Sequence, residues 1–140
     1  MRFMIIRKAD QETEAATMPS EQLLQDMAEY NEQLMKAGVL LDGMGLQPSS
    51  KGARVKFTNG KPRVIDGPFT EAKELIAGFT LIEAKSKEEA IEWVKRWPQL
   101  DGHGNVEIEI RQVYEMEDFG SGEGVEHHKE IFDKIRKKNP

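Results

Sequence analysis

The chain predicts an α+β domain: a ferredoxin-like βαββαβ unit with an inserted β-hairpin, followed by a C-terminal helix. Three observations carry this expectation. Four apolar, strand-like runs are punctuated by two strongly periodic helical segments. The dipeptide Asn59-Gly60, a strong hairpin signal, lies between two short runs in the middle of that order. A flexible Gly120-Ser121-Gly122-Glu123-Gly124 stretch then separates the last strand from one more helical pattern. At 140 residues the chain suits one domain with one core.

Arg2 to Lys8 is rich in β-branched and aromatic residues and reads as a strand buried on both faces. After a loop with scattered acids, Ser20 is a helix N-cap with Glu21 in the first turn. Leu23, Met27, Tyr30 and Leu34 recur at helical spacing, and Leu24, Ala28 and Met35 widen the stripe. Gly38 supplies the left-handed stop. Val39 to Leu41 begin a second strand, which runs into Asp42-Gly43-Met44-Gly45-Leu46-Gln47-Pro48. Two glycines after a strand suggest a phosphate loop, but Pro48 stands where a third glycine is needed and no helix pattern follows.

Arg54–Thr58 and Pro62–Ile65 form the hairpin around Asn59-Gly60. The chain then turns at Gly67-Pro68 and enters a charged segment that reads as helical from near Thr70. Ala77 to Ala84 is the next strand. Ser86 and Glu89 have the spacing of a capping box, Ala90, Trp93 or Val94, and Trp97 keep the helical period, and Pro98 ends it. A polar loop through His103 leads to a strand in which Val106, Ile108 and Ile110 alternate with charged residues. The helices of a ferredoxin-like unit cover one sheet face, so apolar residues on both faces of the first strand call for a second subunit. The tail helix carries Ile131, Phe132 and Ile135 and must dock to be stable. Domain 1–114 and linker-plus-tail 115–140 are the expected division.

A composition of 38% hydrophobic and 32% charged residues reads as soluble and globular. The apolar start, Phe3 to Ile6, is too short for a signal core or a membrane span, so no membrane partner is expected. With no cysteine there is no disulfide, thiolate catalysis or Cys-based zinc, and a cytoplasmic protein is the simplest expectation. The net charge of −5 argues against nucleic acid. The basic run from Glu126 to Lys138 has the composition of a solvated helix. His127 and His128 point about 100° apart on a helix and cannot chelate one ion. Glu123 and His127 at i, i+4 would give only two ligands, so no metal is expected.

Asp66-Gly67-Pro68-Phe69-Thr70-Glu71-Ala72-Lys73-Glu74 is the most distinctive run, because strand-to-turn chemistry does not require Phe after Asp-Gly-Pro. It resembles the signature of YCII-related proteins of the DGPF type. Ala37-Gly38-Val39-Leu40, Gly45-Leu46-Gln47-Pro48 and Gly78-Phe79-Thr80-Leu81-Ile82-Glu83 extend the resemblance from the first strand to the Tyr114 region. The resemblance implies a dimeric α/β barrel, two ferredoxin-like sheets packed face to face, and no cofactor. Relatives with a His-Asp pair carry the histidine early, whereas no histidine precedes His103 here. Genes of DGPF-type relatives often lie beside extracytoplasmic-function sigma factors, which implies a signalling role as readily as catalysis.

Asp66 leads the candidates for chemistry. A carboxylate at a strand end beside Gly67-Pro68 suits a general base, and equally suits capping of its own turn. His103, flanked by glycines, is either a proton shuttle or an exposed loop residue. Arg54 suits an anion clamp or plain solvation at a strand start. Phe69, Glu71 and Asp42 complete the candidate ligand-binding set, with Glu71 also read as a solvated face and Asp42 as a turn residue. The expected function is small-molecule binding in a dimeric cleft with a metabolite-sensing or regulatory role. The alternative is a cofactor-independent acid–base enzyme, an isomerase, lyase or monooxygenase-like protein, using Asp66 and His103.

Overall fold

A computed structural model describes residues 1–138. The elements in order are β1 (Arg2–Lys8), α1 (Gln11–Glu14), α2 (Glu21–Lys36), β2 (Leu40–Gly45), β3 (Ala53–Thr58), β4 (Lys61–Asp66), β5 (Ile76–Glu83), α3 (Lys87–Val94), β6 (Ile108–Gln112) and α4 (Glu123–Lys138). The main sheet has the order β2-β5-β1-β6 with every pairing antiparallel, and β3 and β4 form a separate ribbon. Omitting the ribbon, this is the ferredoxin-like order, and it follows from two βαβ-type crossovers sharing one sheet. The sheet of the single chain is open rather than closed into a barrel.

Alternation on β1 sorts the two faces. Phe3, Ile5 and Arg7 are buried, and Phe3 and Ile5 pack with Ile82, Ala84 and Ala90 beneath α3. A second cluster, Tyr30, Leu34 and Val39, ties the C-terminal half of α2 to Trp93 and Trp97. The Tyr30 hydroxyl donates to the Trp93 carbonyl at 2.8 Å, which satisfies its one polar group. Met4, Ile6, Phe79 and Leu81 face the other way and stay partly exposed.

Several local expectations change. Ser20 caps α2 through Leu23 N–H as read, but Leu24 and Met35 stay 49% and 59% exposed, so the buried stripe is narrower. Gly43 and Gly45 belong to β2 rather than to a loop, because β5 pairs with them. Ser86 caps α3, while the Glu89 carboxylate accepts from Lys85 N–H, one residue earlier than a capping box requires. α3 ends at Val94, before Trp97. The segment after Phe69 makes only a short 3₁₀ turn at Ala72–Glu74, and a four-residue helix, α1, forms where a loop is expected. Asp10 caps α1, with Thr13 reciprocating. On α4, Ile131, Phe132 and Ile135 remain about half exposed on this single chain.

Candidate functional site

Between the N-terminal half of α2 and the sheet lies a cleft of about 690 Å³. Its origin is in the sequence. Opposite Leu23, Leu24 and Met27, the helix-facing positions of the sheet are Gly43, Gly45, Gly78 and Thr80. With no side chain at the three glycines and only the short Thr80 beside them, the sheet cannot meet the helix, so α2 packs closely only where Tyr30 and Leu34 reach the core. Gly78 is required by packing, since a Cβ would sit 2.8 Å from the Met44 carbonyl oxygen. A Cβ on Gly45 meets nothing within 4 Å, so this glycine leaves open space. The result is a flat backbone floor under an apolar helix wall.

One end of the cleft is charged. Arg7 closes the helix-facing row of β1 and is only 9% exposed. Its Nε and Nη2 donate to the two Asp101 oxygens at 3.1 and 2.7 Å, and Nη1 donates to Asp10 at 3.0 Å and to the Lys8 carbonyl at 2.8 Å. Trp97 Nε1 adds a donor to Asp101 at 2.9 Å. Burial alone would push the Asp101 carboxyl up, but hydrogen bonds from Arg7 and Trp97 and the guanidinium charge outweigh it and hold the group below its ordinary value. Asp10 is lowered in the same way: burial opposes, and the Thr13 N–H and Arg7 prevail. The Arg7 guanidinium is desolvated too, yet its two carboxylates raise it on balance. All three are thereby committed to one another.

The loop after α3 is built around this arginine. Gly102 has φ +59, and a Cβ there would lie 2.5 Å from Val106 Cγ1 and 3.4 Å from Arg7 Nη2. His103 follows with φ +55, an uncommon left-handed conformation for a side-chain-bearing residue. Asn105 Nδ2 donates to its carbonyl at 3.0 Å. The ring is thus delivered to the rim of the cleft, where Nε2 lies 3.0 and 3.1 Å from the Glu12 carboxylate oxygens. Hydrogen bonding and attraction to Glu12 raise the His103 pKa above its ordinary value. Because an ionised carboxylate accepts only, Nε2 carries the proton and Nδ1 is the free nitrogen of the neutral ring.

The other candidates lie elsewhere. Asp66, Arg54, Phe69, Glu71 and Asp42 do not line the cleft, so His103 and Asp66 are not brought together there. Phe69 N–H donates to Ser49 Oγ at 3.0 Å, the Ser49 hydroxyl donates to Glu14, and Gly67 N–H donates to the Gly52 carbonyl. A Cβ on Gly67 would fall 1.8 Å from the Ser49 carbonyl oxygen, which accounts for glycine in the signature. The Arg54 guanidinium stacks over the Phe69 ring at 3.8 Å. No hydrogen bond reaches the Asp66 carboxylate among the described residues, so Ser49 holds this turn rather than Asp66 capping it. Glu71 begins the 3₁₀ turn, and the Asp42 carboxylate accepts from Gly43 N–H at 2.8 Å.

Arg7, Asp101 and Glu12 were not singled out by sequence, and Gly45 was read there as part of a loop and of the family resemblance rather than as a cleft floor. An arginine within an apolar strand run and a histidine bracketed by glycines are the signals that bear on them. Among the described residues, no three His, Asp or Glu side chains gather as a metal site, and no helix is long and apolar enough to cross a membrane.

Comparison with known proteins places this geometry in context. Residues 1–117 match the model of the YCII-related domain. An uncharacterised protein of Rhizobium meliloti (strain 1021) is 32% identical over 75 residues, which is 54% of this chain. The match spans 60% of that relative's length. A solved structure, 5-chloro-2-hydroxyhydroquinone dehydrochlorinase of Burkholderia phenoliruptrix AC1100 in complex with 2,5-dihydroxybenzoquinone, aligns with 81% of this chain and 94% of its own. The identity is 18% and the TM-score 0.45, a level of likeness that carries nothing about chemistry.

Proposed function

The chain belongs to the YCII-related domain family, and from that premise we propose that it binds a small molecule in the helix–sheet cleft, as a homodimer with a metabolite-sensing or regulatory role. The observation that carries this reading is the glycine floor. Gly43, Gly45 and Gly78 hold a flat space open beneath Leu23, Leu24 and Met27, where ordinary core packing would place side chains. The shape suits a planar apolar body, and Glu12, the rim carboxylate that Arg7 does not hold, suits a head group that donates a hydrogen bond. The partly exposed sheet face of Met4, Ile6, Phe79 and Leu81 supports the homodimer. The absence of cysteine supports a cytoplasmic setting.

A second reading rests on one observation, the contact of His103 with Glu12. With Asp10 and Asp101 engaged by Arg7, this is the cleft's uncommitted acid–base pair, and it takes the place of Asp66 in an enzymatic account. Nδ1 would accept a proton from a bound hydroxyl while Glu12 stabilises the imidazolium that forms.

The probe 4-nitrophenol tests both readings, since its ionised form absorbs visibly. It should bind saturably to the wild type. Gly45→Leu, which fills open space without a clash, should reduce that binding at least tenfold and leave the melting temperature within about 3 °C. Undiminished binding in Gly45→Leu would move the ligand out of this cleft. If His103 acts as a base, the bound probe should ionise at lower pH than the free probe, and His103→Gln should abolish that difference.

A further inference from the structure

The β3–β4 ribbon has a use that the cleft reading leaves unexplained. It pairs with no strand of the main sheet, every residue of β3 is exposed, and in β4 only Ile65 is half-buried. A two-stranded ribbon standing alone is marginal in water. Register places Val55 opposite Val64 and Phe57 opposite Pro62, so one face is apolar, with Val55, Phe57 and Val64 exposed by 55%, 66% and 64%. The other face carries Arg54, Lys56, Lys61 and Arg63, and none of these makes an ion pair among the described residues.

The same chain presents the complementary surface. The rim of the cleft is apolar at Met18, Leu24 and Leu100, with Met18 exposed by 81%. It is also acidic, through Asp10 and Glu12, with Glu21 following directly after the lining residue Ser20. No ribbon residue lines the chain's own cleft. The base of the ribbon is nevertheless tied next to it, because Ser49 holds both Phe69 and Glu14, two residues from Glu12. In a two-fold assembly a surface meets its complement reciprocally, so neighbouring arm and rim surfaces on one chain can both be satisfied by one axis.

We propose that the ribbon is an arm that seats its apolar face on the cleft mouth of a second copy of this chain, so that Phe57 of one subunit completes the site of the other. The cationic side chains stand on the ribbon's outer face, from which their long stems curl over the ribbon edge toward the acids of that rim, and the contact is therefore weakened by salt. This rests on the homodimer reading and adds to it the residues exchanged.

The chain has no cysteine, so single substitutions report proximity directly. Phe57→Cys and Met18→Cys proteins, mixed and oxidised, should give a disulfide-linked pair containing one of each. Thr58→Cys, on the opposite ribbon face, should give far less with Met18→Cys. Phe57→Ser should lower 4-nitrophenol affinity by about tenfold with the fold intact, since in its own chain the residue meets only its ribbon neighbours. A dimer in sedimentation that forms no Phe57–Met18 link above the Thr58 control overturns the arm and leaves the homodimer standing. A monomer overturns both. A link confined to one chain in the doubly substituted protein assigns the ribbon to its own cleft and likewise overturns the exchange.

Discussion

Two corners of this molecule each tie distant segments together, and they do so with opposite chemistry. The signature corner joins Gly67 and Phe69 to the Ser49 turn and to Glu14 through short hydrogen bonds and a backbone approach that admits no Cβ. The arginine corner joins β1, the α1 cap and the loop after α3 through a buried guanidinium and two carboxylates. The signature corner is distinctive in sequence and packs chain against chain. The arginine corner is inconspicuous in sequence and holds up the wall of the cleft. A distinctive motif marks where the backbone has few options, and this is not the same place as where a ligand has room.

The largest expected effect belongs to Arg7. Arg7→Met strands Asp101 and Asp10 in a partly dry site, and stability should fall by about 3–5 kcal/mol in denaturant titration. The pH dependence gives an independent check. Both carboxylates are held below their ordinary value when folded, so their stabilisation is complete above the unfolded value of about 3.9 and is lost as pH falls through the lowered one. Wild-type stability should therefore drop in acid, and the Arg7→Met protein should show a flatter acid limb. Equal acid limbs would remove the arginine corner's electrostatic role.

Gly67→Ala comes next. The new Cβ collides with main chain rather than with a flexible side chain, so the turn must move, at a cost on the order of 3 kcal/mol. The comparison predicts that 4-nitrophenol binding survives in this variant below its melting temperature, because no residue of the signature lines the cleft. Lost binding in folded Gly67→Ala would join the two corners into one functional unit.

The smallest effect is at His103. Its ring should titrate by NMR above the ordinary value of about 6.5, and Glu12→Gln should move it back toward that value. The stability from a raised pKa is complete below the unfolded value and is lost as pH rises through the folded one. The ring is too solvent-exposed for that to shift the melting temperature measurably. An unshifted titration would separate His103 from Glu12 in solution.

The sequence alone determined the elements whose rules are local. The α2 and α3 N-caps, the Asn59-Gly60 turn, the left-handed Gly38 and the strand order rest on spacing and on residues with few conformations, and all can be read without knowing the fold. Local rules also explain the misses. α1 is too short to show a period, and the charged run after Phe69 has helical composition but closes as a single 3₁₀ turn between Phe69, whose N–H is held by Ser49, and Leu75, whose carbonyl accepts from Ala9 N–H. Only the tertiary structure decided the site. Gly43 and Gly45 look like a loop until β5 pairs with them, and Arg7 looks like the polar end of a strand until Asp101, 94 residues later, folds over it. Glu12 and His103 are 91 residues apart and meet where one arginine anchors both the α1 cap and the loop after α3. A cleft is made by what two faces fail to fill, and that depends on which residues oppose each other across the sheet and helix.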